Sequence, residues 1–134
     1  MENQFLDESA LKELIRKLST SNKAEDLENF KDLDILISSF HAYVDTVIRN
    51  ESELLIHGSS LEGQEYRDKI AQYDKDRHGC HETAIINVRV INRLAEKYGI
   101  QPVFKGDDNQ RHQVADFCLE LDSYLFRNRR MKLS

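Results

Sequence analysis

Apolar residues recur at helical spacing through Tyr66, Ile70 and Tyr73, and again through Ala84, Val88, Ile91, Ala95 and Tyr98, with Ile85 alongside. This run contains no proline, and Gly79 is its one glycine. Such a stripe is what one face of an α-helix presents, because 3.6 residues complete a turn. The predicted element is one long helix around residues 62–98. At about 1.5 Å per residue an unbroken helix of that length reaches ~50 Å. It outruns the neighbours a small chain can supply, which invites dimerisation. Gly79 marks a kink, a break or a close approach to another backbone, since glycine in a helix interior costs about 1 kcal/mol relative to alanine.

The flanking segments repeat the pattern. From Glu8 to Leu18, Leu11, Leu14, Ile15 and Leu18 oppose Lys12, Glu13, Arg16 and Lys17, a short amphipathic helix. Asn22 with Glu25 has the spacing of a capping pair, so the next helix begins there or at Asp32. Leu33, Leu36, Ile37, Phe40, Val44, Val47 and Ile48 then form a core-facing stripe that runs to about Leu55 or Ile56, before the turn Gly58-Ser59-Ser60. Gly99 ends the long helix as a left-handed cap and Pro102 prevents its resumption. Val103 and Phe104 fold back on the core; Ile100 to Phe104 reads as extended, without an evident partner. Gly106 to Asn109 supplies helix-capping side chains, and Gln110 to Phe126 places Val114, Phe117, Cys118, Leu121 and Leu125 on one face. The expected architecture is all-α: residues 1–134 as a single-domain antiparallel bundle of four or five helices.

Composition narrows the function. A chain of 134 residues supports one genuine core, and 40% hydrophobic with 32% charged residues excludes a low-complexity or collagenous chain. A formal charge of -5 argues against nucleic acid as the main partner, because that binding is driven by clustered cations. The basic run Arg127 to Lys132 reads as a solvated helix end complementing the helix dipole. Cys80 and Cys118 lack paired metal or redox spacing and read as small buried hydrophobes. The N-terminus has no signal-peptide pattern and no apolar run approaches a membrane span, so a cytoplasmic protein is expected.

The apolar stripe of the long helix turns polar at Asp74, Arg77, His78 and His81, which share a face over two turns. His41 and Asp45 sit one turn apart in the second helix, as do His112 and Asp116 in the last. Three readings compete. In the favoured one, Arg77 and Arg111, both on positions that continue apolar stripes, pair with Asp74 and Asp45 in an ion-pair layer at the bundle rim. In the second, Asp74, Arg77, His81, Arg111 and Tyr73 line a pocket for a small anionic ligand, which a guanidinium fork suits. In the third, His41, Asp45, His78 and His81 are candidate metal ligands, because facing helices can direct His and carboxylates to one point. An Asp74 and His pair could serve acid–base catalysis, yet no nucleophile elbow or phosphate loop is present.

The run Tyr73 to Ile85, followed by Ile91-Asn92-Arg93-Leu94 and by Arg111 ahead of the last helix, resembles small bacterial proteins grouped as domains of unknown function. The resemblance implies a bacterial, cytosolic helical protein and carries over no catalytic residue. The functional expectation is a protein-association or regulatory module, working as a homodimer or on a protein partner. A small-ligand or metal-binding protein, enzymatic or not, is the alternative; the cofactor is unknown.

Overall fold

A computed structural model describes residues 3–57 and 63–133, and the side chains of residues 3–47, 63–72, 75 and 78–125. Its helices are α1 (Glu8–Ser19), α2 (Ala24–His57), α3 (Gln64–Lys97) and α4 (Arg111–Leu133). The all-α expectation holds, and the helices pack against one another as a bundle in which α2 touches the other three. Asn29 bonds to Tyr98, Ser39 to Asn87 and Tyr43 to His81, so partner numbers fall as α2 advances. That register makes α2 and α3 an antiparallel hairpin.

Local chemistry explains the ends. Asp7 caps α1 by accepting the Ala10 amide, satisfying one of the four donors that a helix start leaves open. At the start of α2, Ser21 and Asp26 carry the hydrogen bonds, Ser21 accepting from Lys23 N–H and donating to Asp26. Glu25 instead pairs with Lys97. Gly99 closes α3 at φ 70°, where its own amide reaches the Glu96 carbonyl and the Ile100 amide reaches that of Ala95. This is the two-bond left-handed cap for which glycine avoids the Cβ clash. Gly79 interrupts nothing: α3 runs through it, and a Cβ there would meet no atom within 4 Å.

The core follows the sequence stripes: Leu11, Leu14 and Leu18 of α1, Leu33 and Phe40 of α2, Val88 and Ile91 of α3, and Val114, Phe117 and Leu121 of α4. Each such side chain contributes about 1.5–3 kcal/mol on full burial. Phe117 sits between two rings, stacked on Phe104 at 5.2 Å and tilted against Phe40 at 5.4 Å. The extended stretch after Pro102 does have a partner, the N-terminal residues. Asp7 N–H bonds to Val103, Lys105 N–H to Phe5, and Leu6 pairs with Phe104 in an antiparallel bridge. Glu120 of α4 accepts the amides of both Phe5 and Leu6 and ties this pair to the bundle.

Cys118 is fully buried as expected, whereas Cys80 is half-buried, a correction to the paired reading of the two thiols. Cys80 packs against the edge of the core. Among the described residues from Gly63 to His81 no side chain is buried, and Tyr66 and Ile70 of the long stripe remain 43% exposed and half-buried respectively.

Candidate interaction face

The polar constellation read from the sequence does not assemble as one cluster in the described residues. The side chains of Tyr73, Asp74 and Arg77 lie outside those residues. His81 turns to α2, where the Tyr43 hydroxyl lies 3.0 Å from its Nδ1 and the two rings meet edge to face at 5.2 Å. His78 stays on its own helix, 3.4 Å from Glu82. His41 faces the other way, its Nδ1 2.6 Å from Asp122 of α4. Asp45 is exposed, and so is Arg111, which opens α4 one turn ahead of its first buried residue, Val114. The α4 stripe therefore begins after Arg111 rather than at it. No three His, Cys, Asp or Glu side chains among the described residues converge as a metal would require. No polar or charged described residue is buried.

The same geometry produces a feature that charge-based reading passes over. Ile35, Ser39, Ala42 and Thr46 share one face of α2, at steps of four, three and four residues. Gly79, Thr83, Ile86 and Val90 follow the same steps on α3. The antiparallel hairpin lays these two rows side by side, joined by the Asn87 amide donating to the Ser39 hydroxyl at 2.8 Å. Ile35 and Ile86 stand 66% and 57% exposed on this face, Ile86 beside the Ser39–Asn87 bond and Ile35 about one turn further from Ala42. Ala42, Tyr43, Thr46, Gly79 and Thr83 border a cleft of about 220 Å³, which no charged side chain among the described residues lines. In a chain that is 32% charged, an uncharged outward row two helices wide is the sequence signal that would have located this face.

A larger concavity of about 630 Å³ lies at the far end of α3, between Arg89, Asn92, Arg93, Phe104, Gly106 and Asp108. Its charges are partly offset, since Arg89 Nε lies 2.5 Å from Asp108. Beside the α1–α2 connection, Tyr98 donates to Asp26 at 2.6 Å and accepts from Asn29. The hydrogen bonds from Tyr98 and Ser21 hold the Asp26 carboxyl below its ordinary value. These polar groups serve packing between helix ends.

A family model described as "Protein of unknown function (DUF3232)" matches residues 5–131, and the chain belongs to that family. No curated protein and no solved structure matches it. No described helix is long and apolar enough to cross a membrane.

Proposed function

We propose that this member of the DUF3232 family is a protein-association module that works as a dimer of identical chains joined through the α2–α3 hairpin. The supporting observation is the hairpin surface that the chain leaves uncovered. Apolar side chains stand in that surface, Ile35 and Ile86 on the uncharged face and Tyr66 and Ile70 along the α3 stripe. Exposed apolar groups clustered on one element mark an association surface more often than those scattered singly.

Size-exclusion chromatography with light scattering tests the reading. The expected mass is about twice 15.7 kDa, falling toward the single-chain value on dilution. A single-chain mass at every accessible concentration overturns it.

A further inference from the structure

The concavity at the far end of α3 gathers more positive charge than it neutralises. Arg89 and Arg93 stand one turn apart on α3, so both border the same space of about 630 Å³, a volume in the range of small-ligand sites. Among the described residues Asp108 is the one carboxylate that lines it, and it meets Arg89 at Nε. Arg93 is exposed and makes no ion pair with a described residue; its one bond runs from Nε to the Arg89 carbonyl of its own helix, 3.4 Å away. Two guanidiniums against one carboxylate leave a surplus of one positive charge, in a chain whose net charge is -5.

The wall beside these cations is fixed. Both ends of the Asn92 amide hold the Phe104 backbone, and Leu6 pairs with Phe104 on its other edge. Gly106 is packed so tightly that a Cβ there would lie 2.9 Å from the Phe104 and Phe5 rings. Val88 and Phe104 are buried beneath. A preorganised wall loses little freedom when a ligand enters, so more of the contact energy appears as affinity. The amides of Gly106 and Asp108 donate to no group among the described residues, which places two further N–H donors in the residues that line the space.

We infer that this concavity binds a single carboxylate group, carried by a peptide or a small organic acid, with Arg93 as its main contact and Arg89 shared between the ligand and Asp108. A guanidinium offers a carboxylate two parallel N–H···O bonds, and Arg89 already holds one carboxylate in this space. A phosphate dianion fits worse, because it sets two charges against a surplus of one and lies beside Asp108. The inference goes beyond the association reading and does not depend on it, since no residue of α2 lines the concavity.

The test titrates the isotope-labelled full chain, followed by backbone NMR shifts, with acetyl-Ala-Leu bearing a free terminal carboxylate, the same dipeptide as its amide, benzoate, and inorganic phosphate. Saturable shifts at Gly106 and Asp108 are expected with the free dipeptide or benzoate and not with the amide; the tighter of the two identifies a peptide or a small acid as the source. Arg93→Gln is expected to raise the dissociation constant about tenfold, the worth of a charge-assisted bond. Arg93→Lys should recover part of that, because an ammonium lacks the fork. Arg93 is exposed, so the melting temperature of both variants should match the parent. Asp108→Asn removes the competitor for Arg89 and is expected to tighten binding about two- to fivefold, the reverse of what damage to the loop would do. The inference is overturned if neither carboxylate gives saturable shifts, or if phosphate binds more tightly than both. Binding that survives Arg93→Gln, or that weakens in Asp108→Asn, overturns it equally. The mass of the parent by light scattering decides the association reading separately.

Discussion

Asn92 of α3 grips the backbone of Phe104 with both ends of its amide: its Oδ1 accepts the Phe104 N–H and its Nδ2 donates to the Phe104 carbonyl, each at 2.9 Å. A side-chain amide presents a donor and an acceptor at the spacing of a backbone amide, so Asn92 acts as a short strand partner supplied by a helix. The other edge of Phe104 faces Leu6 in the antiparallel bridge. The Phe104 ring is thereby held against Phe117 in the core.

Replacing Asn92 by alanine leaves both Phe104 groups without this partner. A loss of about 1–3 kcal/mol is expected, since unsatisfied part-buried groups cost more than a hydrogen bond gains. Asn92→Asp keeps an acceptor and loses the donor, placing a carboxylate beside the Phe104 carbonyl, so it should rescue little. Urea denaturation of the three proteins measures this; equal midpoints would show that the clamp contributes nothing.

Gly106 is needed for space. A Cβ at this position would lie 2.7 Å from Gln113 Oε1 and 2.9 Å from the rings of Phe104 and Phe5. Gly106→Ala must displace two packed aromatics and the Gln113 bond to the Asp107 amide. The expected cost is about 1–3 kcal/mol, in the range of overpacked sites. A thermal midpoint within error of the parent would refute the close packing.

Asp26 gives a pH signature. Its folded-state pKa lies below the ordinary 3.8, chiefly because the Tyr98 hydroxyl donates to it, then through Ser21. A depressed carboxyl favours the folded state above the unfolded-chain pKa, and that contribution is lost as pH falls through the lower folded value. Tyr98→Phe should shift the Asp26 titration upward, toward 3.8. Carboxyl chemical shifts followed by NMR report it directly; a parent Asp26 titrating at or above 3.8 contradicts the assignment.

Burial pushes the Cys118 thiol up to about 12, so little thiolate exists at neutral pH. Native protein should therefore react with a thiol reagent at the half-buried Cys80 and spare Cys118, whereas denatured protein reacts at both. Mass spectrometry after a short exposure distinguishes them. Rapid native labelling of Cys118 would mean that α4 opens from the core.

The long helix was legible in sequence nearly to the residue, residues 62–98 against Gln64–Lys97. Gly99 was legible as its stop, because a left-handed cap is a local demand. The start of α2 was less so, since Asn22, Ser21 and Asp26 all offer capping oxygens and the distant Tyr98 helps select among them. The candidate site was read from charges one turn apart on single helices. His41 has Asp45 on its own helix, yet its ring nitrogen lies against Asp122 of α4, which the bundle brings to 2.6 Å.

Helical periodicity is a property of neighbours three and four residues apart, so the chain by itself determined where its helices run and which side of each is apolar. It also determined that Ile35, Ser39, Ala42 and Thr46 share a face, and that Gly79, Thr83, Ile86 and Val90 do. Which face meets which depends on the register and rotation of whole helices, set by how Phe40, Phe104, Phe117 and the leucines of α1 fill one space. Only the tertiary structure could place Asn92 on Phe104, send His41 and His81 to different neighbours, and lay two outward rows side by side along α2 and α3.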